Sequence, residues 1–261
     1  MLAGQRRARV LDELRRAGGV KVSQLTGLLG VSDMTVRRDL EQLDSAGMLH
    51  RVHGGAVPGG NVTEEPGFEA NSSREQPAKQ AIAARAAELV RPGTAIAVSA
   101  GTTTWAMARH LTSVHDLTVV TNSTTIAHTI SALATSGRRT VILTGGARTP
   151  SAALVGPVAQ LAIRSLHVDQ LFIGVHGIDP DAGFTTPNIA EAQTNRTLIE
   201  CARQVVVVAD STKWSNVGLA DFGALSDADV LITDDGLPEE AKSALAEQIA
   251  EVIIVSPRRR V

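Results

Sequence analysis

The chain has 261 residues, 43% of them hydrophobic, and 25 Lys/Arg against 27 Asp/Glu for a net charge of −2. That length allows one or two buried cores, and the lone Cys201, with no Cys or His at ligand spacing, excludes a disulfide framework and a structural zinc site and points to a reducing cytosol. The basic stretch Gln5–Arg9 has no apolar block behind it and no run approaches the ~20 apolar residues of a membrane span, so the expected protein is cytoplasmic with no membrane partner.

The charge is unevenly spread. Residues 1–57 hold nine Lys/Arg and six Asp/Glu, a net of +3, and the rest of the chain balances at −5. A small basic module on an acidic body suits localised phosphate contact, because clustered cations drive nucleic-acid affinity whatever the whole-chain charge. Tyrosine is absent and aromatics make up 2% of the chain, which speaks against stacking on single strands and for duplex DNA.

In chain order, residues 5–17 predict an amphipathic helix with Val10, Leu11 and Leu14 inward, ended by Gly18-Gly19. A second short helix runs over Val22–Leu29, and Gly30 turns the chain at a position where positive φ is usual. A third helix then opens at Val31-Ser-Asp-Met-Thr-Val-Arg-Arg-Asp-Leu-Glu-Gln-Leu43 and closes at Gly47. Ser32 is placed to cap it or, like Thr35, to contact phosphate; Val36, Leu40 and Leu43 share one face, which should be core. Thr35, Arg37 and Arg38 lie off that face near the helix start, as a helix inserted into a major groove requires. Asp39 either pairs with a neighbouring arginine or accepts from cytosine. Met48–Val57 reads as a hairpin or wing with a glycine tip, carrying Arg51 and His53 toward phosphate. Three helices and a wing make a winged helix-turn-helix DNA-binding domain over 1–57.

Residues 58–74, rich in Pro, Gly, Asn and Ser, read as a linker. Beyond it, over 75–261, short apolar strands alternate with helices. Strands are expected at Ala95–Val98, Leu117–Val120, Thr140–Leu143, Leu171–Val175, Val205–Ala209, Val230–Thr233 and Val252–Val255. Helices are expected at 80–90, 104–111, 126–133, 158–166, 189–203 and 238–249. This is an α/β domain with a mainly parallel sheet.

Three polar loops end three of those strands. Ser99-Ala-Gly101-Thr102-Thr103 opens a helix, where main-chain N–H groups and hydroxyls suit an anion; alone, it is equally a plain strand-to-helix turn. Asn122 and Ser123 follow the next strand, and Gly145 and Gly146 the one after. Such loops converge on the crevice where open α/β sheets bind ligands, which points to a phosphorylated ligand. Lys213 adds a cation or is an ordinary loop lysine. Asp179 either meets sugar hydroxyls or starts the turn Asp-Pro-Asp-Ala-Gly183. Glu191 is a ligand carboxylate or simply an acid favoured at a helix start.

With these motifs placed, Val31-Ser-x-x-Thr-Val-Arg-Arg-Asp-Leu40 and Gly47-Met-Leu-His-Arg-x-His-Gly-Gly-Ala56 resemble the DeoR family of bacterial transcriptional regulators. The second domain resembles that family's effector domain, of the ribose-5-phosphate isomerase type. The matching strings are Lys79-Gln-Ala-Ile-Ala83, Ser99-Ala-Gly-Thr-Thr103, Thr121-Asn-Ser123, Thr144-Gly-Gly146, Leu154-Val-Gly156 and Ala209-Asp-Ser-Thr-Lys213. The block from Gly183 to Arg196 looks closest to members answering to amino-sugar phosphates. The resemblance implies a repressor of sugar-metabolism genes, controlled by a phosphorylated sugar and acting on double-stranded operator DNA as a homo-oligomer. It implies no cofactor. The sequence departs from the isomerases at His176 and Phe184-Thr-Thr-Pro187, where they carry an acid and a Lys-Gly-Gly loop, so the resemblance implies sugar-phosphate binding without turnover. An isomerase with an appended DNA module, and an architectural DNA-binding protein with a vestigial second domain, stay open as rivals.

Overall fold

The computed structural model describes residues 2–17, 19–45, 48–52, 54–58, 67–111, 114–132 and 139–257. The chain divides into two compact units, residues 1–64 and 65–261.

In the first unit, α1 (Ala3–Ala17), α2 (Val22–Leu29) and α3 (Asp33–Ser45) pack on a small antiparallel sheet. Its strands are β1 (Val20–Lys21), β2 (Leu49–Val52) and β3 (Gly55–Pro58), in the order β1-β3-β2. The apolar positions that repeat at helical spacing do close the core: Val10, Leu14, Leu25, Val36, Leu40 and Leu43 are buried together with Leu49. Gly30 carries φ +65°, and its N–H donates to the Thr26 carbonyl at 3.0 Å, ending α2 in the left-handed region that glycine tolerates best. Gly18, Gly47 and His53, named above as helix ends and a wing contact, lie outside the described residues.

The second unit begins within the stretch expected to be linker. Its first helix, α4 (Phe68–Ser72), is followed by α5 (Gln76–Glu88). Seven parallel strands then form the sheet: β4 (Ala95–Val98), β5 (Leu117–Thr121), β6 (Arg139–Leu143), β9 (Gln170–Gly174), β12 (Val205–Val208), β14 (Val230–Asp234) and β15 (Glu251–Val255). All seven match an expected strand within a residue or two. Helices α6 (Thr102–Ala108), α7 (Thr124–Ala132), α8 (Pro157–Arg164), α9 (Ile189–Glu200) and α10 (Glu239–Gln248) connect them; Leu133, the expected end of α7, is outside the described residues.

Helices cover both faces of this sheet. Ile96, Val98, Val119, Phe172, Val206 and Ile232 pack with Ile82 of α5, Met107 of α6 and Ile126 of α7. The alternate residues Ala97, Leu171, Ile173, Val205, Val207 and Leu231 pack with Ile163 of α8, Leu198 of α9 and Leu245 of α10. Double burial explains why the strands read as continuous apolar runs rather than alternating ones.

The strand order is β15-β14-β12-β9-β4-β5-β6. From the central β4 the chain builds outward through β5 and β6, then returns to place β9 on the other side of β4. The switch point is therefore between β4 and β9. Two hairpin features escaped the reading of the sequence: the pair β7 (Ala147–Arg148) and β8 (Leu154–Val155), and a three-stranded sheet ordered β10-β11-β13. The latter joins β10 (Gly177–Asp179), β11 (Gly183–Thr186) and β13 (Ala220–Gly223), with Phe184 and Phe222 stacked 6.2 Å apart beneath it.

Candidate functional site

The geometry of α3 suits a groove-binding helix. The Ser32 hydroxyl accepts from the Thr35 N–H at 3.3 Å and shares a 2.9 Å hydrogen bond with Thr35 Oγ1, so both short polar residues build the first turn. The Arg37 Nε donates to Asp33 one turn earlier at 2.5 Å, with both side chains about half exposed. An exposed pair of this kind holds weakly and leaves the guanidinium exchangeable with phosphate. Arg38 is exposed, and no ion pair engages it among the described residues. Arg51, on β2, is 3.5 Å from Glu41 near the far end of α3.

Asp39 pairs with an arginine, as the first of its two readings has it, but the partner comes from another helix and not from α3. It is 3% exposed and takes two bonds from Arg6 of α1, at Nε and, at 3.0 Å, from Nη2. The arginine comes from another helix because Asp39 faces the core side of α3, beside Val36 and Leu40. Met34, which was not singled out, is 78% exposed and lies three and four residues before Arg37 and Arg38. Its signal in the sequence is an apolar residue off the Val36-Leu40-Leu43 stripe.

The second unit has a polar cavity at the carboxyl ends of β4, β9 and β12. The loop after β4 contributes Gly101, Thr102 and Thr103; the end of β9 contributes Gly174 and His176; α9 contributes Glu191 and Asn195. Lys213 reaches it from a 3-10 turn, Ser211–Lys213, that the Asp210 carboxylate caps by accepting from the Thr212 N–H at 3.2 Å. Asp234 fixes the same turn, accepting from Ser211 N at 2.6 Å and Ser211 Oγ at 2.9 Å. Glu191 accepts long hydrogen bonds, 3.4 Å each, from Ser151 and Thr186, both of which also line the cavity. This is the crevice that a doubly wound sheet opens at its switch point.

Five of the residues named from the sequence thus meet: Gly101, Thr102, Thr103, Glu191 and Lys213. The other six do not line the cavity. Ser99 is buried and its hydroxyl accepts from Gly174 N at 3.2 Å, tying the end of β4 to the end of β9. Asn122, 1% exposed, accepts from Ala100 N at 2.8 Å and donates to the Leu154 carbonyl at 3.2 Å. The Ala100 N–H is thereby occupied by protein. Ser123 caps α7, accepting from Ile126 N at 3.3 Å.

Gly145 and Gly146 have φ of +70° and +119° and lead into the β7–β8 hairpin. A Cβ on Gly146 would stand 2.5 Å from the Val155 carbonyl oxygen. The Asp179 carboxylate closes the turn between β10 and β11, accepting from Asp181 N at 3.0 Å and Ala182 N at 2.9 Å. For the residues after β5 and β6 the physical reason is strand order. Three loops at successive strand ends were expected to converge, but β5 and β6 lie on one side of β4, and the crevice opens on the other. Residues not singled out as ligand contacts complete the lining, notably Phe68, Asn71, His176 and Asn195.

Behind Lys213 lies a charged group of mixed sign. Lys79, on α5 and 5% exposed, has its pKa lowered to about 8, chiefly by burial and further by Lys213, against the pull of Asp210. Burial raises the pKa of Glu75, and the carboxylates of Asp210 and Asp234 raise it further. No helix among the described residues is long and apolar enough to cross a membrane.

Comparison with known proteins agrees with both units. Residues 6–58 match the DeoR-like helix-turn-helix domain and residues 74–235 the DeoR C terminal sensor domain. The chain is 38% identical over 255 residues to the uncharacterized HTH-type transcriptional regulator YgbI of Escherichia coli strain K12, spanning 97% of this chain and 98% of that protein. It is 30% identical over 250 residues to the HTH-type transcriptional repressor CsqR of the same strain, with 95% and 94% covered. Among solved structures it is similar to ribose 5-phosphate isomerase A from Methanocaldococcus jannaschii, at 15% identity and a TM-score of 0.39 over 54% of this chain and 55% of that one. With family matches across both units and relatives similar over nearly their whole length, the chain belongs to the DeoR family: it is a DNA-binding transcriptional regulator and not an enzyme.

Proposed function

We propose that this regulator represses sugar-metabolism genes, and that a phosphorylated sugar in the cavity at the ends of β4 and β9 sets its hold on operator DNA. The observation that carries the reading is the cavity lining, where one cation, one carboxylate and several hydroxyls converge. Lys213 with the hydroxyls of Thr102 and Thr103 would take the phosphate; Glu191 and Asn195 would take sugar hydroxyls. Ser99, Asn122 and Ser123 hold the loops in place, and Gly145, Gly146 and Asp179 shape turns away from the ligand. The repressor name of CsqR supports the sign of the regulation.

On DNA, Arg37, Arg38 and Thr35 face the major groove with Ser32 at the phosphate edge, and Met34 offers a thymine methyl an apolar partner. Arg51 and His53 meet phosphate from the wing. A single module makes few contacts, so a homo-oligomer on repeated half-sites supplies the specificity. Regulation requires that the sugar bind the free and operator-bound forms with different affinity.

A thermal-shift panel tests the effector. At least one sugar phosphate should raise the melting temperature of the protein, since a ligand of the folded state stabilises it. The unphosphorylated sugar should not, and Lys213→Met should raise the concentration needed at least tenfold. A panel in which no sugar phosphate stabilises the wild-type protein would overturn the effector half of the reading and favour an architectural role.

A further inference from the structure

The residues of α4 stand ahead of the expected start of the sensor domain, yet Phe68 and Asn71 line its cavity. None of the residues of this five-residue helix is buried. The Phe68 ring meets Trp105 edge-on, with centroids 5.6 Å apart at 71°, and the Phe68 N–H donates to the Pro150 carbonyl at 3.4 Å. The Asn71 carbonyl accepts from Lys79 Nζ at 2.5 Å.

Those partners are themselves part of the site's frame. Trp105 belongs to α6, whose first turn supplies Thr102 and Thr103 to the same cavity. Its indole N–H donates to Thr129 of α7 at 3.0 Å, and the Arg109 guanidinium lies 4.2 Å from its ring centroid. Lys79 belongs to α5, which packs into the sheet through Ile82. An element with no buried residue therefore forms one wall of the cavity, and covalent continuity runs from it through residues 59–66 to β3 of the DNA-binding module.

We propose that α4 is the coupling element between the sensor cavity and the DNA-binding module. A molecule seated in the cavity changes the hold on Phe68 and Asn71, and the chain carries that change to the module. The effector side of this proposal rests on the functional reading above. Linkage makes the coupling reciprocal: if cavity occupancy alters DNA affinity through α4, then DNA binding must alter α4.

Reciprocity supplies a test that needs no identified sugar, because Trp105 reports on Phe68. In the full chain carrying Trp214→Phe, Trp105 is the only tryptophan, and a fragment of the protein's own promoter is the probe. Adding that DNA should change Trp105 emission and its quenching by acrylamide. Phe68→Ala should abolish the change and shift promoter affinity at least fivefold without ligand. Circular dichroism checks the fold, and Phe68→Leu and Asn71→Ala serve as milder variants should Phe68→Ala not fold. Trp105 emission and quenching indifferent to DNA, with wild-type promoter affinity in the folded variants, would overturn the proposal.

A parallel panel of inorganic phosphate, ribose 5-phosphate and fructose 6-phosphate separates the two claims. Stabilisation by a sugar phosphate with an unresponsive Trp105 sinks the coupling role and leaves the effector reading standing. A responsive Trp105 with no stabilisation by any of the three supports α4 and counts against the effector.

Discussion

Lys79 bears a charge that its surroundings resist. Burial brings its pKa down from 10.5 to about 8. Between those values the unfolded chain keeps the proton and the folded protein has released it, so stability rises with pH through that window. We expect the melting temperature of the wild type to gain on that of Lys79→Met as pH goes from 8 to 10. A difference between the two that stays constant over that range would contradict the shift.

At the DNA face, Arg37 and Arg38 are unequal, because Asp33 competes for the first and nothing described engages the second. Arg38→Ala should therefore weaken promoter binding in a gel shift by about five- to 150-fold, corresponding to ~1–3 kcal/mol for a lost base contact. Arg37→Ala should cost less. Equal affinities for both variants and the wild type would refute the contacts. Replacing promoter thymines by deoxyuridine one at a time examines Met34: one position should lose affinity in the wild type and not in Met34→Ala.

Among the elements, those with long apolar periodicity were readable in advance and the short ones were not. The seven parallel strands are runs such as Val205–Val208 that double burial makes continuously apolar. By contrast, β10 and β11 are three and four residues of Gly, Ile, Asp, Phe and Thr, too short to show a period, and become a sheet by pairing with each other and with β13, with Ile178, Phe184 and Phe222 in the core. The linker reading of 58–74 missed α4 because five residues with no buried face carry no periodicity. Gly145-Gly146 suits a phosphate loop by composition, and the structure supplies a separate need for glycine there: at Gly146 the backbone of Val155 approaches too closely for any Cβ. Gly146→Ala should thus lower the melting temperature by several degrees, since strain of ~1–3 kcal/mol moves a domain of this size by about 2–4 °C per kcal/mol. An unchanged melting temperature would show that the hairpin gives way freely.

At the scale of the whole molecule, a net charge of −2 conceals a DNA-binding region of +3. Promoter affinity should fall linearly on a log–log plot as salt rises from 50 to 200 mM, because bound phosphates release counterions. Arg51→Ala should reduce that slope by about one if it meets phosphate, measured by fluorescence anisotropy across the salt series. A slope equal to that of the wild type would remove Arg51 from the phosphate contacts.

The sequence by itself determined the class of each unit: periodicity names the helices and strands, and the cap, apolar stripe and arginines of residues 31–43 name a DNA-binding helix. These are local properties, set by spacing along one element. Only the tertiary structure decided which distant loops share a cavity. Strand order put the ends of β4 and β9 together and kept Asn122, Ser123, Gly145 and Gly146 out, while contacts with Trp105, Pro150 and Lys79 brought in Phe68 and Asn71 from a segment with no signal of its own. Neighbourhood across a sheet follows from how strands pair, and no spacing along the chain encodes that pairing directly.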